Sequence, residues 1–504
     1  MKILDKYTIT SEKVPAEVTI SESSDDYVNN YEIKQIKVSK ATDLMLQHLK
    51  EMVIGNVEIK VSEILDPNEV ENIKRKFKEK AQELVDKEIT DASAKDKEVL
   101  IGKLIQDMLG LGELELLLAD NELEEIVVNS SKEPVWVYHK RFGWLKTNLA
   151  MKSEEQIANY ASIVGRRVGR QITNLNPLMD AHLTTGDRVY AVVFPISTKG
   201  NCITIRKFAK NPWTIIHMLD PSIKTLSIDV ASLLWMCVQY ELNTLISGGT
   251  ASGKTSFLNA ILVFTPPNQR VISIEDTREL YLPEFLHWTP LTTRLPNPEG
   301  KGEVTMLDLM VNSLRMRPDR IVLGEMRRQS EAEVLFEAMH TGHAVYATLH
   351  ADDARQTKNR LTTPPISLPE SMLGALHLIV VQYRQRRTGI RRTFEVAEVV
   401  PQENKVFINR IFAWDARNDT MEKVGDYVRI MDELGLFAGM NNKEINADLE
   451  ERKKVLDYML KNKIYDVNDV GRVVAAFYRE KERLMDMVKK NTEPSKVMKM
   501  GVVR

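Results

Sequence analysis

The chain has 504 residues, of which 43% are hydrophobic and 28% are charged, so its composition is that of a globular protein with enough apolar residues for a sizeable core. The formal net charge of −2 gives no overall attraction to nucleic acid or to an anionic membrane surface. The two cysteines, Cys202 and Cys237, exclude a disulfide framework and a four-cysteine zinc site, and they fit a reducing cytosol.

Residues 1–95 carry no motif that indicates chemistry, and we expect an N-terminal extension of strands and helices there. Residues 1–40 are largely polar, and two alternating stretches, Tyr31–Lys40 and Asn56–Ser62, predict short strands. Apolar residues at helical spacing predict a helix over Glu69–Lys87 with one buried face. The chain start lacks the apolar core of a signal peptide, and no uninterrupted apolar run reaches about 18 residues, so we expect no transmembrane helix.

Residues 96–210 mix helices with short apolar stretches. The predicted helices lie near Lys95–Leu109 and Glu154–Gly169. The apolar stretches are Leu114–Leu118, Ile126–Asn129, Val135–His139, Val189–Phe194 and Cys202–Lys207. This mixture predicts a small α+β domain, and a proline-containing turn after it places a linker at 211–222.

Residues 223–400 have a different sequence pattern, in which short continuous apolar runs are separated by predicted helical segments. The runs are Thr244–Ser247, Val271–Glu275, Arg320–Gly324, Ala344–Leu349 and Leu376–Tyr383. Such runs are typical of a largely parallel sheet covered on both faces, so we expect an α/β domain. Residues 401–504 predict a C-terminal extension with a strand near Lys405–Ala413 and charged helices near Glu444–Asn462 and Asn468–Lys490.

The first of these runs leads into a glycine-rich turn, and a helix is predicted from Ser256 onward. The turn reads Gly248-Gly249-Thr250-Ala251-Ser252-Gly253-Lys254-Thr255. Strand, turn and helix are the context in which G-x-x-x-x-G-K-[ST] forms a phosphate-binding loop, or P-loop. Its N–H groups and the helix dipole favour phosphate, Lys254 can reach the β- and γ-phosphates, and Thr255 can offer its hydroxyl to Mg²⁺. A chance glycine turn is the alternative, and we expect instead that the protein binds a nucleoside triphosphate.

Two later strands end in acidic residues at the sheet edge that should also carry the P-loop. The run Val271–Glu275 ends in Glu275 and is followed by Asp276, and the run Arg320–Gly324 is followed by Glu325. Carboxylates at this place can hold Mg²⁺ through water or polarise an attacking water. Alternatively, each acid only caps the helix that follows it.

Two histidines, His343 and His350, lie at either end of the predicted strand Ala344–Leu349. A lone histidine on a strand is more often a hydrogen-bonded structural residue than a catalyst. Because this strand is expected next to the one that precedes Glu325, we predict that the two histidines sense the γ-phosphate.

The order and spacing of four boxes resemble those of the type II/IV secretion ATPases, a family that includes the type IV pilus and archaellum motors. The boxes are Walker A (Gly248–Thr255), the aspartate box (Ser273–Leu280), Walker B (Arg320–Arg327) and the histidine box (Thr341–His350). The resemblance covers about residues 100–400. It implies an α/β fold: a RecA-like P-loop ATPase domain preceded by a smaller α+β domain, with helical N- and C-terminal extensions.

The resemblance also implies ATP and Mg²⁺ as cofactors and assigns roles to residues of this sequence. The implied catalytic residues are Glu325, Glu275 and Lys254, and the implied magnesium ligands are Thr255, Glu275 and Glu325. Glu325 would activate water, whereas Glu275 and Asp276 would order Mg²⁺ and its waters. The implied nucleotide-binding residues are Gly248, Gly249, Thr250, Ala251, Ser252, Gly253, Lys254, Thr255, Ser256, Asp276, Arg188, Arg206, His343 and His350.

Two arginines of the preceding domain match the family's charge clamp. Leu178–Leu183 and Gly186–Val189 resemble the family's N-terminal domain, and Thr204–Phe208 resembles its closing strand. The family's two phosphate-reaching arginines map to Arg188 and Arg206, which would make domain closure depend on the γ-phosphate. The alternative is that both arginines are sheet-surface residues.

Within the family, Arg294–Met306 and Leu314–Arg320 resemble the archaeal branch and most of all the archaellum motor. This implies a cytoplasmic homohexamer held at the inner face of the membrane by a polytopic platform protein and by accessory cytoplasmic archaellum proteins. It would power archaellum assembly and rotation, with archaeal pilus assembly or type II secretion as the alternative. A nucleic-acid translocase is a less favoured alternative, because the near-neutral charge predicts no direct nucleic-acid binding. A nucleotide-regulated scaffold that hardly hydrolyses ATP is a third hypothesis.

Two arginine clusters leave their roles open. The first comprises Arg315, Arg317, Arg320, Arg327 and Arg328. It either supplies charge to a neighbouring subunit's phosphates or pairs locally with Glu325, Glu331 and Glu333. The second comprises Arg384, Arg386, Arg387, Arg391 and Arg392. It predicts a hairpin turn with solvated charges, with lipid or partner contact as the alternative.

Overall fold

The computed structural model describes residues 2–22, 27–35, 40–57, 70–183, 186–208, 212–296 and 300–500. The chain divides into two compact units, Met1–Ala209 and Lys210–Arg504, each with its own sheet. The division falls beside the predicted linker, and the finer boundaries at 95 and 400 stay predictions. Within the described ranges, no helix combines the length and the apolar character needed to cross a membrane.

The sheet of the first unit has the strand order β1-β2-β3-β6-β5-β4-β9-β8-β7. The strands are β1 (Lys2–Ser11), β2 (Val14–Glu22), β3 (Asn30–Gln35), β4 (Leu123–Val128), β5 (Pro134–His139), β6 (Gly143–Ala150), β7 (Leu178–His182), β8 (Arg188–Val192) and β9 (Cys202–Arg206). Neighbouring strands are antiparallel, except that β3 and β6 run parallel. A mixed sheet with helices agrees with the predicted α+β domain.

The helices of the first unit form two groups. They are α1 (Lys40–Asn56), α2 (Val70–Glu88), α3 (Ala94–Leu109), α4 (Leu114–Ala119) and α5 (Glu154–Arg167). Helices α1, α2 and α3 share a small apolar core of their own, which includes Leu49, Val85 and Leu104. Helices α4 and α5 pack on the main core of the sheet.

The N-terminal residues differ most from the prediction. The polar stretch before residue 23 forms the long strands β1 and β2, because Val14, Ala16, Val18 and Ile20 alternate with more exposed residues and are buried. The predicted strand at Asn56–Ser62 is wrong at Asn56, which ends helix α1, and its residues 58–62 lie outside the described part of the chain.

The second unit contains the predicted parallel sheet, in the order β12-β11-β13-β14-β10-β15-β16-β17-β18. The strands are β10 (Thr244–Gly248), β11 (Val271–Glu275), β12 (Trp288–Thr292), β13 (Arg320–Leu323), β14 (Ala344–Leu349), β15 (Leu378–Arg384), β16 (Arg391–Gln402), β17 (Lys405–Asp415) and β18 (Thr420–Lys423). The first six strands in this order run parallel, and β15 to β18 form an antiparallel continuation. This arrangement confirms the predicted α/β fold class.

Helices cover both faces of this sheet. They are α6 (Ile215–Leu219), α7 (Ile228–Gln239), α8 (Lys254–Leu262), α9 (Met306–Ser313), α10 (Gln329–His340), α11 (Ala354–Thr362), α12 (Ile430–Ala438), α13 (Asn442–Lys461), α14 (Val467–Arg479), α15 (Lys481–Lys489) and α16 (Pro494–Val497). Alternate strand residues enter different cores: Ile246 and Val322 join one, whereas Leu245 and Ile321 join the other. Burial on both faces explains why these strands read as continuous apolar runs.

The C-terminal helices belong to the core of the second unit. The indole of Trp235 stacks on Phe264 with ring centroids 5.1 Å apart and donates to the Tyr478 hydroxyl at 2.8 Å. The guanidinium of buried Arg452 lies 5.1 Å from the centroid of the Trp235 ring. Within the predicted linker, α6 is likewise buried in this core.

Candidate nucleotide-binding site

The P-loop lies between β10 and α8, as the sequence predicts. Gly248 and Gly253 have φ values of 153° and 92°, which favour glycine. At Gly248 a side chain would also lack room, because a Cβ atom would lie 2.3 Å from the carbonyl oxygen of Gln382. Ala251 has a φ of 59°, a left-handed conformation that costs a residue with a side chain about 1–2 kcal/mol.

Lys254, the first residue of α8, is buried and folds back onto the loop. Its Nζ donates to the carbonyl oxygens of Gly248 and Gly249, both at 3.0 Å, and to Nδ1 of His350 at 3.2 Å. Burial lowers the pKa of Lys254, against the opposing effect of the Glu325 carboxylate. A phosphate bound by the loop would compete for these three hydrogen bonds.

His350 connects Lys254 to Glu325. Because an ammonium group can only donate, Nδ1 of His350 accepts and carries no proton, and the ring proton of the neutral form is on Nε2. That nitrogen lies 3.1 Å from Oε1 of Glu325. Burial and then the charge of Lys254 lower the pKa of His350, although Glu325 raises it. Neutral His350 therefore has one defined tautomer that links the P-loop lysine to the Walker B glutamate.

Arg327 joins the acids that follow two neighbouring strands. Its Nη2 lies 2.6 Å from Oε2 of Glu325, and its Nη1 lies 2.6 Å from Oδ2 of Asp276. Asp276 follows β11 and Glu325 lies close after β13, and these strands pair in parallel. For Arg327, these contacts favour local ion pairing over the alternative of charge supplied to a neighbouring subunit.

Glu275 is 2% exposed at the end of β11. Its Oε1 accepts from the backbone N–H groups of Glu279 and Leu280 at 2.9 and 3.1 Å. Its Oε2 is buried and has no hydrogen-bond partner among the described protein atoms. Burial raises the pKa of Glu275 to about 7. The described segment between β11 and β12 contains no helix for Glu275 to cap; hydrogen bonds to the loop account for one carboxylate oxygen and leave the other available to a ligand.

The loop residues fit the phosphates and the magnesium ion that the resemblance implies. The buried hydroxyl of Ser252 lacks a hydrogen-bond partner among the described atoms, as does Oε2 of Glu275. Thr255 and Ser256 lie in the first turn of α8, which no side chain caps, so its N–H groups can face an anion. Thr255, Glu275 and Glu325 would hold Mg²⁺. In the described part of the chain, no three His, Cys, Asp or Glu side chains form a metal site by themselves, so phosphate oxygens would complete the coordination.

The structure separates the two histidines that the sequence grouped together. His350 follows the carboxyl end of β14 next to the P-loop, whereas His343 precedes its amino end. A strand of six residues spans about 20 Å, so His343 lies at the opposite edge of the sheet. There its Nδ1 lies 3.2 Å from the Thr341 hydroxyl and 3.3 Å from the Ala338 carbonyl oxygen. The prediction that His343 senses a γ-phosphate bound by the same chain is therefore wrong.

The predicted clamp arginines lie on neighbouring strands of the first unit. Arg188 of β8 and Arg206 of β9 are directly paired in the sheet. Arg188 donates from Nε to Oδ1 of Asp180 at 2.9 Å and from Nη2 to Oδ2 at 2.5 Å. Directly opposed like charges are unfavourable in a sheet, and here Asp180 offsets Arg188 while Glu125, opposite Arg206 on β4, offsets Arg206. The contact of these arginines with phosphate stays a prediction.

The second arginine cluster matches the predicted solvated turn at Arg386 and Arg387, which are exposed, but not at Arg391 and Arg392. The hairpin exists between β15 and β16, but Arg392 is buried and pairs with Asp419 through Nε at 2.7 Å. Arg391 donates from Nε to the carbonyl oxygen of Ala251 at 3.2 Å and so contacts the P-loop. In the first cluster, Arg320 is fully buried and donates to the Tyr346 hydroxyl at 2.5 Å. No sequence pattern indicated the Arg391 contact, because the two residues lie 140 positions apart.

Comparisons with known proteins show which family this chain is similar to. The family model described as type II/IV secretion system protein matches residues 161–393. The chain is 36% identical over 387 residues to an uncharacterized protein of Methanocaldococcus jannaschii, covering 75% of this chain and 69% of the relative. It is 30% identical over 306 residues to the type IV secretion system protein PtlH of Bordetella pertussis, covering 55% of this chain and 89% of the relative.

Among solved structures, the chain is similar to the crystal structure of the VirB11 ATPase from the Brucella suis type IV secretion system. The identity is 25%, the match covers 56% of this chain and 91% of that one, and the TM-score is 0.29. The PtlH match is 30% identical and covers 89% of that relative, so it shows the family. The chain belongs to the type II/IV secretion ATPase family.

Proposed function

We propose that this chain is a hexameric motor ATPase that hydrolyses Mg²⁺-ATP to drive an archaellum or a related pilus machine through a membrane platform protein. The observation that carries the proposal is the continuous line of contacts from Lys254 through His350 to Glu325. It joins a phosphate-binding loop to an acid at the carboxyl edge of one parallel sheet. Phosphoryl transfer to water requires a phosphate-binding loop and an acidic residue that orients the water at the same site.

The residues of this site have different roles in ATP hydrolysis. The N–H groups of the P-loop and Lys254 bind and orient the phosphates. Glu325 orients the attacking water and accepts its proton, and His350 and Arg327 fix the two oxygens of its carboxylate. Bound Mg²⁺ would supply positive charge to the phosphate oxygens. Each group acts at the edge where β10, β13 and β14 end.

Two substitutions test the hydrolytic function. Lys254→Ala should weaken nucleotide binding about 100-fold, because it removes the ammonium from the phosphate site. Glu325→Gln should keep the nucleotide Kd within about threefold and lower kcat at least 100-fold, since removing a catalytic base costs roughly 10²–10⁴. Titration with a fluorescent nucleotide gives Kd, and phosphate release gives kcat.

Glu422→Gln is the matched control for these variants, because Glu422 is exposed on β18 of the same unit. It should leave both constants unchanged. A Glu325→Gln enzyme with a kcat within tenfold of wild type contradicts the proposed role. Wild-type protein that binds ATP but releases no phosphate, with or without the membrane partner, favours the scaffold hypothesis.

The narrower archaellum assignment rests on the resemblance of Arg294–Met306 to the archaeal branch. Deleting the gene in its host should abolish swimming filaments, and complementation with Glu325→Gln should not restore them. Loss of adhesive pili with intact swimming would favour pilus assembly instead, and salt-dependent DNA affinity would favour a translocase. Mass photometry with a non-hydrolysable ATP analogue tests the hexamer, and pull-down from detergent-solubilised membranes tests the platform partner.

A further inference from the structure

Arg391 contacts the P-loop from outside the four sequence boxes. It begins β16 and pairs across the hairpin with Arg384 of β15, so strand register fixes its backbone. Its Nε donates to the carbonyl oxygen of Ala251 at 3.2 Å. Its Cδ lies 3.5 Å from the place that a Cβ on Gly253 would occupy. The side chain is therefore packed along the loop as well as hydrogen-bonded to it.

Arg391 hydrogen-bonds to Ala251, whose backbone conformation is strained. Ala251 has a φ of 59°, which a residue with a side chain adopts only where its surroundings stabilise it. Its carbonyl oxygen receives a charge-assisted hydrogen bond, and such bonds are about twice as strong as neutral ones. We see in this bond a physical reason why the loop can keep an alanine at a position suited to glycine.

The other described side-chain donor to the loop carbonyls is Lys254, which binds Gly248 and Gly249. A bound phosphate would compete for that ammonium group, so these bonds are exchanged when nucleotide binds. Nucleotide binding does not require the bond between Arg391 and Ala251 to break. Arg391 can thus hold the loop in both states.

We propose that Arg391 is a positioning residue for nucleotide binding, which keeps Ala251 in its left-handed conformation so that the loop N–H groups converge on the phosphates. The inference rests on the proposed function and deepens it. It adds a residue of the β15–β16 hairpin to the nucleotide-binding machinery. It also assigns Arg391 to affinity for phosphate, not to the chemical step.

The first test compares Arg391→Ala with Arg387→Ala in the full chain, using a fluorescent ADP and phosphate release. Arg387 lies exposed in the turn of the same hairpin, so its loss removes an equal charge without the P-loop contact. Arg391→Ala should raise the Kd and KM about tenfold and change kcat less than about threefold, whereas Arg387→Ala should change neither. Equal effects of the two variants, or a fall in kcat alone, overturn the proposal.

A double-mutant cycle separates positioning from general electrostatics. In an Ala251→Gly background the left-handed conformation is free of strain, so Arg391→Ala should raise the Kd less than about threefold. Equal losses of affinity with and without the Ala251→Gly substitution overturn the proposal.

A second variant covers the case in which Arg391→Ala fails to fold. Arg391→Lys keeps the charge without the Nε donor and should still raise the Kd at least threefold. An unchanged Kd overturns the inference. Wild-type protein that binds no nucleotide defeats the proposed function as well, whereas wild-type binding with an unaffected Arg391→Ala defeats this inference alone.

Discussion

The carboxylate of Glu325 is held on both sides, by Arg327 at one oxygen and His350 at the other. A base that activates water has to present an oxygen in one direction, and a small misplacement costs a large part of its rate. A fourth residue, Asp276, also contacts the guanidinium of Arg327. Arg327 therefore orients the predicted catalytic Glu325 and the predicted nucleotide-site residue Asp276 at once.

This arrangement predicts that Arg327→Ala lowers kcat about tenfold and leaves the nucleotide Kd within about threefold. The carboxylate of Glu325 would lose one of its two fixed neighbours, whereas the P-loop and Lys254 would keep their contacts. Steady-state phosphate release and nucleotide titration measure the two effects. Arg483→Ala is the control, because it removes an exposed arginine that pairs with Glu480 at 2.8 Å elsewhere in the same unit.

Mixing subunits distinguishes local orientation from charge supplied to a neighbour. If Arg327 acts within its own chain, an Arg327→Ala subunit mixed with a Lys254→Ala subunit regains no more activity than the separate proteins have. Recovery of activity on mixing would contradict local orientation and would restore the interface hypothesis for this arginine.

At the scale of strands, the site could be predicted because its residues follow buried strands. Continuous apolar runs mark the parallel sheet, and its strand order brings Glu275, Glu325 and His350 to the edge that carries the P-loop. The direction of β14 also places His343 at the edge opposite the P-loop. The prediction grouped both histidines of the histidine box and did not take the direction of the strand into account. Arg391 could not be predicted, since its position depends on how the hairpin packs against a loop 140 residues earlier.

Hydrogen bonds of Asn243 and His377 link neighbouring strands at the edge of the sheet opposite the P-loop. The backbone N–H of Asn243 donates to Nδ1 of His377 at 3.0 Å, and Oδ1 of Asn243 accepts from the backbone N–H of Val345 at 2.8 Å. These bonds join the amino ends of β10, β14 and β15. Burial and then the charge of Arg429 lower the pKa of His377 to about 3. Native His377 is therefore neutral and acts as a hydrogen-bond acceptor.

This titration predicts an acid-dependent loss of stability. Below pH 6.5 the unfolded histidine binds a proton that the native histidine excludes down to about pH 3, so the free energy of unfolding falls across that window. The loss from His377 should reach about 2 kcal/mol at pH 5. Chemical denaturation of wild type and His377→Gln at pH 7.5 and pH 5 measures it, because glutamine keeps an acceptor without titrating.

The comparison depends on the change between the two pH values, not on the absolute stabilities. Other groups titrate equally in both proteins and cancel. Wild type should therefore lose about 2 kcal/mol more than His377→Gln between pH 7.5 and pH 5. Equal losses would mean that His377 can accept a proton in the native state.

At the scale of the whole molecule, the predicted clamp arginines and the residues of the four boxes belong to different units. Each unit has its own sheet and core, and every boxed residue lies in the second unit. The residues of the first unit with a predicted part in nucleotide binding are Arg188 and Arg206, which are paired on β8 and β9. Asp180 pairs with Arg188, and Glu125 of β4 lies opposite Arg206, so carboxylates offset part of the charge of both guanidiniums.

If these arginines clamp the γ-phosphate, Arg206→Ala should weaken binding of a non-hydrolysable ATP analogue about tenfold and leave ADP binding within about twofold. A charge-assisted contact to phosphate is of that size, and ADP lacks the group that it would recognise. Isothermal titration with both nucleotides measures the difference, and kcat/KM for ATP should fall in parallel. Arg141→Ala, which removes an exposed arginine paired with Asp5 in the same unit, should change neither affinity. Equal losses of affinity for the ATP analogue and for ADP would show that Arg206 does not recognise the γ-phosphate. Unchanged affinity for both nucleotides would favour the alternative that Arg206 is a sheet-surface residue.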